Sequence, residues 1–365
     1  MSAKALKWII YITGALCLYM FVAIRYEPLF NGILREKVVE GYWDKTKYGE
    51  MYYFSMIRHF REPGLPPAKE KFEHSDKQAS LEEARILTFG DSFFEFSRLK
   101  QFPERLADDF STRVHYVNND FPLRYLKENN YQDTTPKLLI YERTERYIPL
   151  SFEQFHSGEV NSPPGETESR GILARAKDKL FYDKSEDLYN VIMKRSYPTT
   201  GLYSFFSTLK FDLFGYISRL TPVYHKNGSE SWLFYYDQVN EEKTSYYYQH
   251  TQLEIDTLCD NMASLARDLK EQYNLELVYL PMPAKYTIHH GVVNSDPYNN
   301  FLPYLYEGLE ERGVRYIKLL DDFLSSEQRL YYRTDSHWTQ AGIDLTYNRS
   351  LEYIQGDSVL NTLLR

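Results

Sequence analysis

The stretch ARILTFGDSFFEFSRL, Ala84 to Leu99, decides how this chain folds. It opens with a short apolar run, breaks sharply at Gly90-Asp91-Ser92, and continues in a segment that predicts a helix from Phe93, a strand–turn–helix signal. Outward from it, RVHYVNND from Arg113 reads as a second strand ending in a polar loop. PKLLIYERTERYIPL from Pro136 reads as a third, apolar until it ends in charges. Buried strands that turn polar at their C-terminal ends are where open α/β sheets keep their sites. Leu258, Met262, Leu265 and Leu269 then recur at helical spacing, LELVYLPMPAK follows as a strand, and the helix FLPYLYEGLEERG leads to a strand VRYIKLL. The expected class is α/β with a central, mostly parallel sheet and no internal repeat.

Composition bounds the function. A chain of 365 residues with 43% hydrophobic residues buries a substantial core. Net charge is −8, and no basic stripe is dense enough to neutralise a row of phosphates, so nucleic acid is excluded as a partner. The 34 tyrosines either stack on sugar rings or reflect a compositional habit. Cys17 and Cys259 are the two cysteines, too few for a disulfide framework or a thiolate zinc site.

The N-terminus carries an uncharged apolar run, Trp8 to Ile24, of 17 residues, at the short end of what spans a bilayer. Lys4 and Lys7 precede it, while Arg25 and Glu27 follow and cancel, so the positive-inside rule puts the N-terminus in the cytoplasm. No small-x-small cleavage site ends the run, which reads as one transmembrane signal-anchor. The expected location is the cytoplasmic (inner) membrane, single-pass, with the body on the periplasmic or extracellular side. Residues 1–25 are thus read as an anchor, 26–80 as a juxtamembrane linker region with a Pro-rich, charged stretch from Arg61, and 81–355 as the catalytic domain. Within it, about 153–250 reads as a mixed helical and aromatic insertion, containing HSGEVNSPPGETESRG, GILARAKDKLFYDK and WLFYYDQVNEEK.

A serine at the tip of a strand-to-helix turn exposes its hydroxyl above the sheet and sits near backbone N–H groups that can bind an oxyanion. Ser92 is so placed, although Asp91 or Ser92 could equally do no more than cap the helix. A serine nucleophile needs a base, and the base needs an orienting acid. Asp335-Ser336-His337 supplies both, after the last strand, whereas His289 and His290 have no acid beside them in sequence. Asp335 and His337 could alternatively bind a metal with Glu142, Glu145 or Asp91, but the sequence has no second histidine cluster of usable spacing, and no metal or cofactor is expected. Glu142-Arg143 and Glu145-Arg146 read either as structural ion pairs or as substrate contacts. Trp338 either walls the pocket against water or packs its own loop.

Together the motifs resemble the alginate O-acetyltransferase branch of the SGNH hydrolase superfamily, whose members carry a D-x-H-W motif before a glycine. LTFGDSFFEFSR, LLIYERTERYIP, LVYLPMPAKYTIHH and LYYRTDSHWTQAG carry the likeness, in order, over roughly residues 84–347. It implies a three-layer SGNH-like domain and an acetyl group handed over by a membrane-bound O-acyltransferase partner. Ser92, His337 and Asp335 would then pass it to hydroxyls of an extracellular or periplasmic polysaccharide, with Lys285 in the Pro-x-Pro-x-Lys segment. The G-x-N-D block of SGNH hydrolases is absent, which leaves Asn118 or Asn119 for the second oxyanion donor. Alternatives with the same residues are a polysaccharide acetyl esterase, a non-catalytic polysaccharide-binding subunit of a secretion complex, and D-alanyl transfer to teichoic acid.

Overall fold

Strand β1 (Ile86–Gly90) is buried along its whole length and is hydrogen-bonded in parallel on both sides. Its neighbours are β2 (Val114–Asn118) and β3 (Lys137–Thr144), and β3 pairs in parallel with β6 (Leu275–Met282), giving the order β2-β1-β3-β6. The structure, a computed structural model, describes residues 3–23, 48–62, 65–151, 199–217, 224–227, 230–240, 242–293 and 295–364. A separate antiparallel ribbon joins β4 (Tyr224–Asn227) to β5 (Glu230–Leu233).

Alternation along the strands sorts the core onto two faces, as a period of two requires. Leu87, Phe89, Leu139, Tyr141, Leu277 and Tyr279 enter one apolar cluster, while Ile86, Leu138, Ile140, Val278 and Leu280 enter the other. The first face is covered by α6 (Gln252–Tyr273) and α8 (Phe301–Glu311), whose Leu258, Met262, Leu265 and Leu269 form the stripe seen in the sequence. Thr251 caps α6 reciprocally with Glu254. The second face is covered by α3 (Phe102–Asp109), α10 (Gln340–Gly356) and α11 (Ser358–Leu364). The result is a three-layer α/β arrangement with a parallel sheet, as expected.

Two expected elements are shorter. Of VRYIKLL only Tyr316 pairs, in a single parallel bridge to Tyr279 at the β6 edge, because the chain turns into α9 (Leu320–Ser325) directly afterwards. The helix expected from Phe93 is a series of turns, and the first helix after β1 is α3. Phe93 and Phe96 both pack on His337, with Phe93 also edge-on to Trp338, while Phe94 stacks on Phe102.

The chain divides into two compact units. The one just described comprises Tyr48–Phe54, Phe60–Val160 and Ser218–Arg365 and contains the sheet. It also uses residues from the expected linker, since Met51, Phe60 and Phe72 are buried in it. Leu233 N–H donates to Arg333 O at 2.9 Å, which ties β5 to the body. The other unit comprises Met1–Lys47, Ser55–His59 and Asn161–Ile217 and contains α1 (Ala3–Ala23) and α5 (Thr199–Phe214). Trp8, Ile12 and Leu16 on α1 are exposed. Among the described residues no helix is long and apolar enough to cross a membrane, so the expected transmembrane helix is not found. The apolar run of 17 residues falls short of the roughly 20 that span a bilayer comfortably. The loop from His156 and the segment GILARAKDKLFYDK lie outside the described residues, as does the end of the apolar run at Ile24.

Gly342 shows how tightly the C-terminal part is packed. A Cβ there would lie 2.4 Å from Leu330 O and 2.8 Å from Trp338 Cβ. Gly342→Ala therefore should lower the unfolding free energy by about 1–3 kcal/mol, measured by urea denaturation.

Candidate active site

The order β2-β1-β3-β6 reverses direction between β1 and β3, and such switch points in open sheets carry binding crevices at the strands' C-terminal ends. Ser92 follows β1 there, half-buried. Its turn is held by acids and hydroxyls. Asp91 N–H donates to Glu142 Oε2 at 2.9 Å, Asp91 Oδ1 accepts from Phe93 N–H at 2.9 Å, and Thr144 Oγ1 donates to Asp91 Oδ2 at 2.9 Å. Gly90 is required beside them, since a Cβ would lie 2.7 Å from Glu142 Oε2 and 2.9 Å from Phe94.

The other half comes from the loop before α10. Tyr331 and Trp338 form an antiparallel bridge, with Tyr332 N–H donating to His337 O at 3.1 Å, and this pinches Arg333–His337 into a tight loop. His337 Nε2 lies 2.9 Å from Ser92 Oγ, across 245 positions of sequence. Its Nδ1 lies 2.5 Å from Asp335 Oδ1, which also accepts the His337 backbone N–H at 3.0 Å. Asp335 can only accept, so Nδ1 carries the proton and Nε2 is left to accept from the Ser92 hydroxyl. Burial opposes a charged His337, but the charge and hydrogen bond of Asp335 outweigh it and raise the imidazole above its usual 6.5. Burial likewise opposes the Asp335 carboxylate, while the imidazole and three hydrogen bonds hold it below the usual range.

Sequence reading missed two partners of this chain. Glu50, the first residue of α2 (Glu50–Ser55), donates its backbone N–H to Asp335 Oδ2 at 2.9 Å. Its carboxylate accepts from the Ser336 hydroxyl and, at 3.3 Å, from Ser336 N–H. A backbone donor 285 positions away leaves no signal in sequence. Phe96 stacks on the His337 ring, centroids 4.3 Å apart and planes 10° from parallel. The run FFEF held that signal, but only its partner identifies the stack.

The remaining candidates are placed as follows. Trp338 is fully buried, edge-on to Phe93 at 5.3 Å, so it packs the loop and does not wall an open pocket. Lys285, at the start of α7 (Lys285–His289), is also buried, and its Nζ donates to Leu233 O, Arg333 O and Asp335 O at 2.6, 2.8 and 3.1 Å. Three donors meet three carbonyls, which leaves none for a substrate. Burial pushes this ammonium down to about 7. Arg143 pairs with Asp120, and Arg146 lies 3.6 Å from Asp237 between the rings of Tyr147 and Tyr235, at 4.4 and 4.3 Å. Both arginines are buried, which favours the structural ion-pair reading. Asn119 Oδ1 accepts from Phe121 N–H at 2.7 Å. Asn118 ends β2 opposite Gly90, exposed, with no side-chain partner among the described residues. Of the metal-ligand companions considered, Glu142 serves Asp91, and Glu145 accepts from Ala284 N–H at 2.7 Å and Tyr298 OH at 2.6 Å. Glu50, Asp335 and His337 do bring one ligand atom each within 4.8 Å of one another, close enough for a cation, but hydrogen bonds already engage all three side chains.

A hydroxyl, an imidazole and a buried carboxylate in this order form the arrangement of a serine-based acyl-transfer site. The comparison with known families narrows the class. Residues 226–363 match the family described as "SGNH hydrolase-like domain, acetyltransferase AlgX". Over that segment the chain is similar to the alginate O-acetyltransferase-like form of the SGNH domain, with Asp335, His337 and Trp338 inside the matched segment and Ser92 ahead of it. No curated protein and no solved structure matches the chain.

Glu142 offers a test of how the turn is held. It is fully buried, and burial followed by the nearby Asp91 charge raises its carboxyl well above 4.5. A raised acid stabilises the fold below the unfolded-state value and loses that contribution as pH rises. The stability of Glu142→Gln relative to the unmodified protein should thus shift in the variant's favour as pH rises above 4.5, in urea unfolding at acidic and alkaline pH.

Proposed function

We propose that the protein is an O-acetyltransferase that carries an acetyl group on Ser92 and places it on hydroxyls of a polysaccharide outside the cytoplasm. The observation that carries this reading is the unbroken chain Ser92–His337–Asp335, whose histidine and aspartate lie in a segment matching an acetyltransferase family. Ser92 Oγ attacks the acetyl carbonyl while its proton passes to His337 Nε2, and the departing donor group takes that proton away. In the second half a sugar hydroxyl gives its proton to Nε2 and attacks the acetyl-serine. The ester bond to Oγ then breaks and Ser92 recovers the proton. The oxyanion is held by Ser92 N–H, which has no partner among the described residues, with the Asn118 amide as the second donor. Glu50 N–H and Lys285 keep Asp335 in place through its second oxygen and its carbonyl.

Location and donor belong to the same proposal. α1, with its apolar side chains exposed, rests on the outer face of the cytoplasmic membrane and holds the chain there. Acetyl-CoA is cytoplasmic, so a membrane-bound O-acyltransferase hands the acetyl group across. High-salt washing should leave the protein in the membrane pellet, and protease added to spheroplasts should degrade the folded domain. Release into the supernatant or full protection contradicts this placement.

Transfer is tested with a labelled acetyl donor and an oligosaccharide acceptor. Ser92→Ala should lower acceptor labelling by about a thousandfold or more. Free acetate without acceptor labelling would make the protein an esterase, and unchanged acetylation by the variant would leave only a binding role. Because His337 must be neutral to accept a proton and is raised above 6.5, transfer should fall on the acid side through a midpoint above 6.5. Asp335→Asn removes the charge that raises it and should move that midpoint down as well as lowering the rate.

A further inference from the structure

The helix α5 is built inside out for a globular protein. Its buried face is polar: Ser204 Oγ donates to Met56 O at 2.8 Å, and Thr208 Oγ1 accepts Arg58 N–H at 2.9 Å and donates to Ser204 O at 2.7 Å. Its outward face carries Leu202, Phe205, Phe206, Leu209 and Leu213, spaced three and four apart, each between 39% and 63% exposed. Such spacing makes one continuous apolar stripe, with Phe214 and Tyr216 extending it at 78% and 55% exposure. Scattered exposed apolar side chains need no explanation, but a contiguous patch does.

We propose that this stripe lies in the surface of a lipid bilayer as a second membrane contact, independent of α1. Eighteen of the twenty-four large apolar side chains exposed among the described residues belong to the unit that contains α1 and α5, and six are spread over the other. Both helices with unsatisfied apolar surface are thus in one unit. The hydroxyls of Ser204 and Thr208 turn inward and are hydrogen-bonded, and the exposed Asp212 pairs with His59, so the apolar stripe itself needs no hydrogen-bond partner, and acyl chains supply none. A protein interface of this size would present polar groups for pairing. Cations flank the stripe, with the Arg58 guanidinium 5.7 Å from the Phe205 ring and the Lys210 ammonium 6.0 Å from that of Tyr216, where anionic headgroups would meet them. The stripe does not depend on what Ser92 does, and its consequence would be to set the height and tilt of this unit on the membrane.

The test uses the full chain with Cys17→Ser and Phe206→Cys, labelled with a nitrobenzoxadiazole fluorophore while Cys259 stays buried. It is reconstituted into liposomes of phosphatidylethanolamine and phosphatidylglycerol. The label at 206 should show blue-shifted emission, lose quenching by aqueous iodide, and be quenched when the acyl chains carry bromine. A label at Leu253, an exposed position in the other unit, should remain open to iodide and insensitive to bromine. Absence of bromine quenching at 206 overturns the proposal. Protection at 206 found only in native membrane vesicles, and not in pure lipid, overturns it equally by assigning the face to a protein partner.

Discussion

The site rests on one buried carboxylate. Asp335 is 1% exposed, and a charge taken that far from water is tolerated only when every lone pair finds a donor. His337 provides two donors and the Glu50 backbone a third, so the acid that orients the imidazole is itself held from both sides. The surrounding loop follows from this requirement. Met51 N–H donates to Thr334 O at 3.0 Å, Thr334 Oγ1 donates to Tyr48 O at 2.7 Å, and Lys285 draws together the carbonyls of Arg333 and Asp335. The N-terminal segment at Tyr48–Met51 is therefore a wall of the site rather than a tether leading to it.

The serine half uses the same principle with opposite charge states. Glu142 is buried beside Asp91 and is pushed toward its neutral form, so the two acids beneath Ser92 avoid carrying two charges at once. That arrangement holds the turn after β1 without a helix start behind it. Preorganisation here comes from side-chain hydrogen bonds and aromatic packing, with Phe93 and Phe96 placed against Trp338 and His337.

Much of this was legible in the sequence where the signal is local. β1 shows as an apolar run ending in glycine, α6 as a 3.6-residue stripe with a capping box, and the pairing of Gly90-Asp91-Ser92 with Asp335-Ser336-His337 as a serine after the first strand and a late acid near a histidine. What stayed hidden depends on distant partners. The aromatic run after Ser92 fits a helix by propensity and a turn by its contacts, and tertiary packing decided it. VRYIKLL has strand composition, but the chain turns into α9 after the one bridge at Tyr316. Trp338 could be read as pocket or core from sequence, and its complete burial beside Phe93 makes it core. Gly342, a pattern without a reason in sequence, is explained by the close approach of Leu330 O.

The central claim is that acetyl passes through Ser92, and mass spectrometry of the peptide carrying that residue tests it most directly. After brief exposure of the protein to an activated acetyl ester and acid quenching, Ser92 should carry an acetyl group that disappears when an oligosaccharide acceptor is added first. Acceptor acetylation that proceeds while Ser92 never carries the group would contradict it.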